Sequence, residues 1–202
     1  MSKFTKRDLL FSIITGLITG FIAWQLLNYL EVRPANADPF WFVVIVPLLW
    51  ILGVNLGYFL GQFLNFFNQF GKFAAIGFTN AAVDFGILFI LIGTTGINKG
   101  FGYTAFKTVS FIVATMHSYF WNKFWAFEDQ SSVAVGQMAK FFGVAIGAAV
   151  VNVLVASIVT NLIPPLLGFT QDQWAALGAV AGSAIALVTS FVGFKIGVFR
   201  KS

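Results

Sequence analysis

The 202-residue sequence contains no cysteine, which excludes disulfides, thiolate nucleophiles and cysteine-based metal sites. Charge is nearly as scarce, with Asp, Glu, Lys and Arg making up only 9% of the chain. A soluble core of this size needs a charged shell, whereas here apolar runs of about 20 residues follow one another with short polar breaks. No segment outside those runs exceeds about 13 residues, which leaves no room for a soluble nucleotide-binding or catalytic domain. The chain is therefore not expected to be an enzyme, and no cofactor is expected. Histidine occurs once, at His117, without companions at metal-ligand spacing. The net charge of +5 does not point to nucleic acid, because the basic residues flank apolar spans and membrane topology accounts for them.

Apolar residues are what the chain has in excess: 58% of the sequence is hydrophobic and the mean hydropathy is +0.87. The expected fold is an all-α polytopic transmembrane helix bundle of about six spans, near 9–30, 40–64, 72–92, 103–127, 140–163 and 173–199. Turn chemistry separates them at Arg33-Pro34, Gly93 to Gly100, Glu128 to Ser132 and Pro164-Pro165. The N-terminal basic residues, apolar run and Ala35-Asn36-Ala37 superficially resemble a cleavable signal. The run is too long for one, and Glu31, Arg33 and Pro34 crowd the cleavage position, so it is read as a retained span.

One pattern occurs twice. Lys72-Phe73 opens the first copy and Ser118, Lys123 and Phe127 close it; Lys140-Phe141 opens the second and Ser190, Lys195 and Phe199 close it. Both closings read Ser-x-x-x-x-Lys-x-x-x-Phe, the mark of a duplicated unit. Each copy holds two spans, so the copies (72–127 and 140–199) enter the membrane in the same orientation, as parallel-repeat helical hairpins. The expected organisation is an added N-terminal transmembrane hairpin, 1–71, followed by a four-span domain, 72–202. With both termini in the cytoplasm, nine Lys and Arg face that side and only Arg33, Lys99 and Lys107 face the other, a positive-inside bias. Glycines four apart, such as Gly16 and Gly20 or Gly143 and Gly147, let helices approach closely; packing within the chain and a homodimer face are both open readings.

Asp84 is the acid placed inside the apolar spans, about 18 Å from Lys72 along the helix. Lys107 lies about 24 Å from Lys123 in the next span, and its flexible stem can cover the remaining depth difference. The two are expected to pair or to share a polar cavity. Intramembrane charges mark functional sites by default, although such a pair can also serve only to hold two helices in register. Asn80 precedes Asp84 by one turn on the same face, and Asn152 takes the place of Asp84 in the second copy. Lys72, Lys123, Lys140 and Lys195 gather on the cytoplasmic face, where they either anchor the spans or receive an anionic lipid head group. Tyr119 to Phe127 crowd the same edge with aromatics suited to an interfacial belt or a lipid-facing groove. His117 suits a helix-to-helix hydrogen bond, and proton coupling with Asp84 is the alternative.

These residues resemble the GtrA-like family of small bacterial membrane proteins. The resemblance rests on Lys72-Phe73, on Gly77-Phe78-Thr79-Asn80 followed by Asp84, and on Ser118-Tyr119-Phe120-Trp121-Asn122-Lys123-Phe124-Trp125-Ala126-Phe127. Lys140-Phe141, Asn152, Ser190-Phe191, Lys195 and Phe199 match more loosely, with Phe194 and Gly197 standing where the first copy has Asn122 and Trp125. The resemblance covers 72–199 and leaves 1–71 uncovered. It implies the bacterial cytoplasmic (inner) membrane and flipping of a polyprenyl-phosphate-linked monosaccharide for cell-envelope glycosylation, with a membrane glycosyltransferase as partner. The expected substrate contacts are Asn80, Asp84, Lys107, His117, Asn122, Lys123, Trp125, Asn152 and Lys195, with Lys123 and Lys195 receiving the phosphate. The alternatives are a scaffold that anchors a glycosyltransferase and a small-solute exporter of the drug/metabolite type.

Overall fold

The computed structural model describes residues 3–168 and 171–199, the side chains at 160, 171–176 and 179 excepted. Among these residues the fold is all-helical, with α1 (Lys6–Tyr29), α2 (Phe42–Leu60), α3 (Phe66–Thr95), α4 (Gly100–Trp121), α5 (Val135–Leu162) and α6 (Gln171–Gly193). Five helical segments are long and apolar enough to cross a membrane: Lys6–Tyr29, Pro39–Leu60, Phe66–Thr95, Val135–Val159 and Val180–Val198. The exception is α4, which carries Lys107, Thr108, Ser110, Thr115, His117 and Ser118 along its 22 residues. It packs against α3 as the second arm of a hairpin. The protein is thus a multi-pass helical membrane protein.

Local sequence sets the helix ends. Thr5 opens α1 with a reciprocal cap: its hydroxyl accepts from the Asp8 amide at 3.1 Å, and the Asp8 carboxylate accepts from the Thr5 amide at 3.0 Å. Pro164-Pro165 stops α5. A turn of only a few residues after α2 leads directly into α3, which therefore starts at Phe66 rather than at the charge of Lys72. At 30 residues, α3 is about 45 Å long, well over the hydrocarbon thickness of a bilayer.

The chain folds as two compact units, Met1–Gln130 and Ser131–Ser202. In the first, α1 and α2 pack on each other and both pack on α3. The α1–α2 contact is backbone-close: a methyl group on Gly16 would collide with Pro47, and one on Gly20 with the Phe42 carbonyl. Thr79 joins all three helices. Its hydroxyl donates to the Ala75 carbonyl at 2.9 Å and accepts from Thr19 Oγ1 at 2.9 Å and Trp50 Nε1 at 3.3 Å. The second unit is the α5–α6 hairpin.

Both hairpins end alike. After α4, Asn122–Ala126 form a π-helical turn in which the Phe127 amide donates to the Asn122 carbonyl at 2.9 Å; after α6, Phe194–Val198 do the same through Phe199 and Phe194 at 2.8 Å. The entry phenylalanine meets the exit phenylalanine in each, Phe73 to Phe127 at 6.2 Å and Phe141 to Phe199 at 6.0 Å between ring centroids. The duplicated sequence pattern is therefore a duplicated local structure, and π turns of this kind often lie at functional sites.

Close packing at Gly16 makes it intolerant of a side chain, whereas nothing lies within 4 Å of a methyl group placed on Gly53. Gly16→Ala should lower stability by about 1–3 kcal/mol through overpacking. Gly53→Ala should leave it unchanged or raise it slightly through helix propensity. Unfolding of the two variants in detergent, followed by tryptophan fluorescence, checks both directions.

Candidate functional site

Asp84 sits on α3 with its side chain 17% exposed. Its Oδ2 accepts from Lys107 Nζ, and its Oδ1 accepts from Ser110 Oγ at 2.6 Å, so both carboxylate oxygens are held by α4. Lys107 remains 40% exposed, and its Nζ lies 5.5 Å from the centroid of the Phe85 ring. A half-open ion pair can exchange one internal hydrogen bond for a hydroxyl of a passing molecule. The carboxylate supplies acceptors and the ammonium supplies donors, the complement that polyhydroxylated groups require.

Further polar side chains lie on the same hairpin and its exit turn. Asn80, one turn before Asp84, has a buried Oδ1 with no hydrogen-bond partner. Asn122 donates through Nδ2 to the Ser118 carbonyl at 2.9 Å and to Ser118 Oγ at 3.1 Å, leaving its own Oδ1 buried and unpartnered. Trp121 Nε1 donates to His117 Nε2 at 2.8 Å, which assigns the ring proton of a neutral His117 to Nδ1, another buried atom without a partner. His117 therefore bonds within its own helix rather than between helices. An unsatisfied buried polar group costs about 1–3 kcal/mol; on this hairpin such atoms also include Asn68 Oδ1 and Gln69 Oε1 near the start of α3.

The other expected contacts lie elsewhere. Trp125 is 1% exposed and donates to Asp8 Oδ1 at 3.0 Å. Lys123 is fully buried in the π turn with its Nζ 2.7 Å from Asp129 Oδ2. In the second unit, Asn152 Nδ2 reaches Ser183 Oγ across the hairpin at 3.4 Å, and Lys195 is exposed with its Nζ 5.5 Å from the Phe191 ring centroid. Aligning the exits of the two copies sets Ala179 against Lys107, so the second hairpin carries neither charge of the Asp84–Lys107 pair.

Two participants escaped the sequence reading. Ser110 is one: it lies three residues after Lys107, on the same face of α4, and is fully buried. Asp8 is the other, and it corrects the placement of Asp84 as the one acid among the spans. The Asp8 side chain is 3% exposed; its Oδ1 lies 2.9 Å from Lys72 Nζ and its Oδ2 accepts from Tyr58 at 3.0 Å. Lys72 also reaches Glu128 Oε1 at 2.9 Å and lies 5.3 Å from the Tyr58 ring centroid. The capping pattern Thr5-x-x-Asp8 was the available signal, because it places Asp8 in the first turn of α1 rather than before it.

The family model described as "GtrA/DPMS, transmembrane domain" matches residues 72–200. The chain is also 24% identical over 132 residues to the "Uncharacterized membrane protein YngA" of Bacillus subtilis (strain 168), covering 65% of this chain and 80% of that protein. No solved structure matches.

Asp8→Asn leaves Lys72 with Glu128 as its remaining carboxylate, so the loss should be that of weakened hydrogen bonds to buried groups, about 1–3 kcal/mol. Adding Glu128→Gln strands the buried ammonium and should raise the cost to about 3–5 kcal/mol. Denaturation midpoints of the single and double variants in detergent provide the check.

Proposed function

Because this chain belongs to the GtrA/DPMS transmembrane-domain family, we propose that it moves a polyprenyl-phosphate-linked monosaccharide from the cytoplasmic to the outer leaflet. The product would serve glycan assembly at the cell envelope, and a separate membrane glycosyltransferase would load the carrier on the cytoplasmic side. The observation that carries this reading is the Asp84–Lys107–Ser110 cluster on the α3–α4 hairpin, accompanied by the unpartnered polar atoms of Asn80, His117 and Asn122. A sugar crossing hydrocarbon loses its water, and each hydroxyl left without a partner costs about 2–7 kcal/mol. Side chains able to donate and accept at successive depths lower that barrier.

The chemistry divides among the residues. Lys107 is half-open, so its ammonium can leave Asp84 for a sugar oxygen. The freed carboxylate oxygen then accepts from a hydroxyl, while Ser110 keeps the other oxygen oriented. Asn80 and Asn122 offer carbonyl acceptors along α3 and at the end of α4. The isoprenoid tail stays in lipid, so only the head group needs this path. With no nucleotide-binding motif in the sequence, the movement is proposed to be passive or ion-linked, drawn by consumption in the outer leaflet. Positive-inside bias supports cytoplasmic placement of both termini.

Reconstitution in liposomes tests this reading. Purified protein should accelerate translocation of a polyprenyl-phosphate monosaccharide, and Asp84→Asn or Lys107→Gln should each slow it about tenfold or more, the effect of losing roughly 1.4 kcal/mol of head-group stabilisation. Wild-type protein that gives no acceleration, yet raises the activity of a co-reconstituted glycosyltransferase, would favour a scaffold role instead.

A further inference from the structure

Each hairpin carries two lysines at the end where its entry and exit phenylalanines meet. Lys72 precedes Phe73 and Lys123 lies in the first π turn; Lys140 precedes Phe141 and Lys195 lies in the second. The second end is tightly built. Phe141 stacks on Phe194 with centroids 4.0 Å apart, and Gln137 Nε2 donates to the Val198 carbonyl at 3.2 Å.

The electrostatics of the two ends are opposite. At the first, both lysines are neutralised from within: Lys72 by Asp8 and Glu128, each at 2.9 Å, and Lys123 by Asp129 at 2.7 Å. Lys72 and Lys123 are also sealed, with side chains 3% and 0% exposed. Glu128 and Asp129 directly follow Phe127; the residues that directly follow Phe199 in the second copy are Arg200 and Lys201. The duplicated position has thus exchanged two acids for two cations. Arg200 and Lys201 lie outside the described residues, and the inversion is a fact of chain order.

At the second end Lys140 and Lys195 are both exposed, and among the described residues no carboxylate pairs with either. The segment from Ser131 onward holds a single acid, Asp172. It lies in the first turn of α6, about 35 Å along the helical path from Lys195. Exposed ammonium groups without an internal counter-ion, at a polar edge beside lipid, are suited to a phosphate, which lysine binds as a point charge. A phosphate approaching the first end would have to displace three carboxylates and open a buried turn.

We propose that the Lys140–Lys195 end of the α5–α6 hairpin binds the phosphate ester of a prenyl-phosphate lipid, and that the matching Lys72–Lys123 end is closed to it by its own acids. The identity of the lipid rests on the transport reading above, whereas the site itself rests on Lys140 and Lys195, exposed and without a carboxylate partner among the described residues.

Farnesyl phosphate is a suitable probe, with the full-length protein in zwitterionic nanodiscs and binding followed by calorimetry. The wild type should bind about one equivalent. Lys140→Gln combined with Lys195→Gln should weaken binding about tenfold or more, a loss of roughly 1.4 kcal/mol. Both side chains are exposed, so an unchanged thermal midpoint should accompany the loss. Glu128→Gln should leave affinity as it is, and farnesol should not bind with this lysine dependence. Unchanged affinity in the double variant, or no binding by the wild type, would overturn the site. Equal competition by inorganic phosphate would indicate a free-anion site, and equal competition by phosphatidylglycerol would indicate plain anchoring to anionic lipid; either result contradicts prenyl-phosphate selectivity. If wild-type protein flips lipid-linked sugar while the double variant still binds farnesyl phosphate normally, the site is wrong and the transport reading stands. If the lysine-dependent site is present but no flipping occurs, the reverse holds.

Discussion

A charge buried against lipid must find its counter-ion within the protein, and the salt bridge between Asp8 and Lys72 meets that constraint where α1 joins α3. The carboxylate comes from the first turn of α1 and the ammonium from α3, with Tyr58 of α2 and Trp125 of the π turn closing around them. Four segments converge on one ion pair. The N-terminal hairpin is thereby tied to the α3–α4 hairpin by more than apolar contact, which gains little between helices already surrounded by hydrocarbon. Thr79 repeats the arrangement deeper in the bundle, joining α1, α2 and α3 through one hydroxyl. With α3 fixed in this way, the depth and orientation of Asp84 follow from its position in the helix.

The two copies of the duplicated hairpin share a frame and differ in charge. Both have a basic-Phe entry, a π-helical exit and a phenylalanine contact between them. The first keeps the Asp84–Lys107 pair in its span and closes its lysines with Glu128 and Asp129. The second has Asn152 and Ala179 in the span and leaves Lys140 and Lys195 exposed at its end. One copy thus offers polar chemistry at depth and the other offers positive charge at the edge. Under the proposed transport reading, this division would give a substrate with a sugar and a phosphate two chemically distinct places to be recognised.

Much of the fold was legible because lipid makes strong demands on sequence. Long apolar runs, Gly-Pro breaks and a recurring motif located six helices and two equivalent hairpins. The approach of Lys107 to Asp84 followed from counting residues along two helices, since a fixed rise per residue converts sequence position into depth. Ion-pair partners set by turns were not legible in the same way. Lys123 looked like one of a ring of cytoplasmic cations, but Glu128 adopts a left-handed φ of 52° and the Asp129 amide returns to the Lys123 carbonyl at 2.8 Å, which folds an acid over the lysine. Asp8 is 64 positions from Lys72 in the chain, and no periodicity connects them. The start of α3 at Phe66 was likewise not legible, because the short turn after α2 sets it, and the neutralised Lys72 lies inside the helix rather than at its boundary.

The central claim is that Asp84 and Lys107 work on a passing head group rather than only holding α3 and α4 in register. Exchanging the charges, as Asp84→Lys with Lys107→Asp, preserves a salt bridge and moves each group to the wrong depth for the sugar. Liposome flipping by this reversed pair is the most direct measurement. The account predicts a folded protein and no acceleration of lipid-linked sugar translocation. Wild-type flipping restored by the exchange would contradict it and assign the pair a purely structural role.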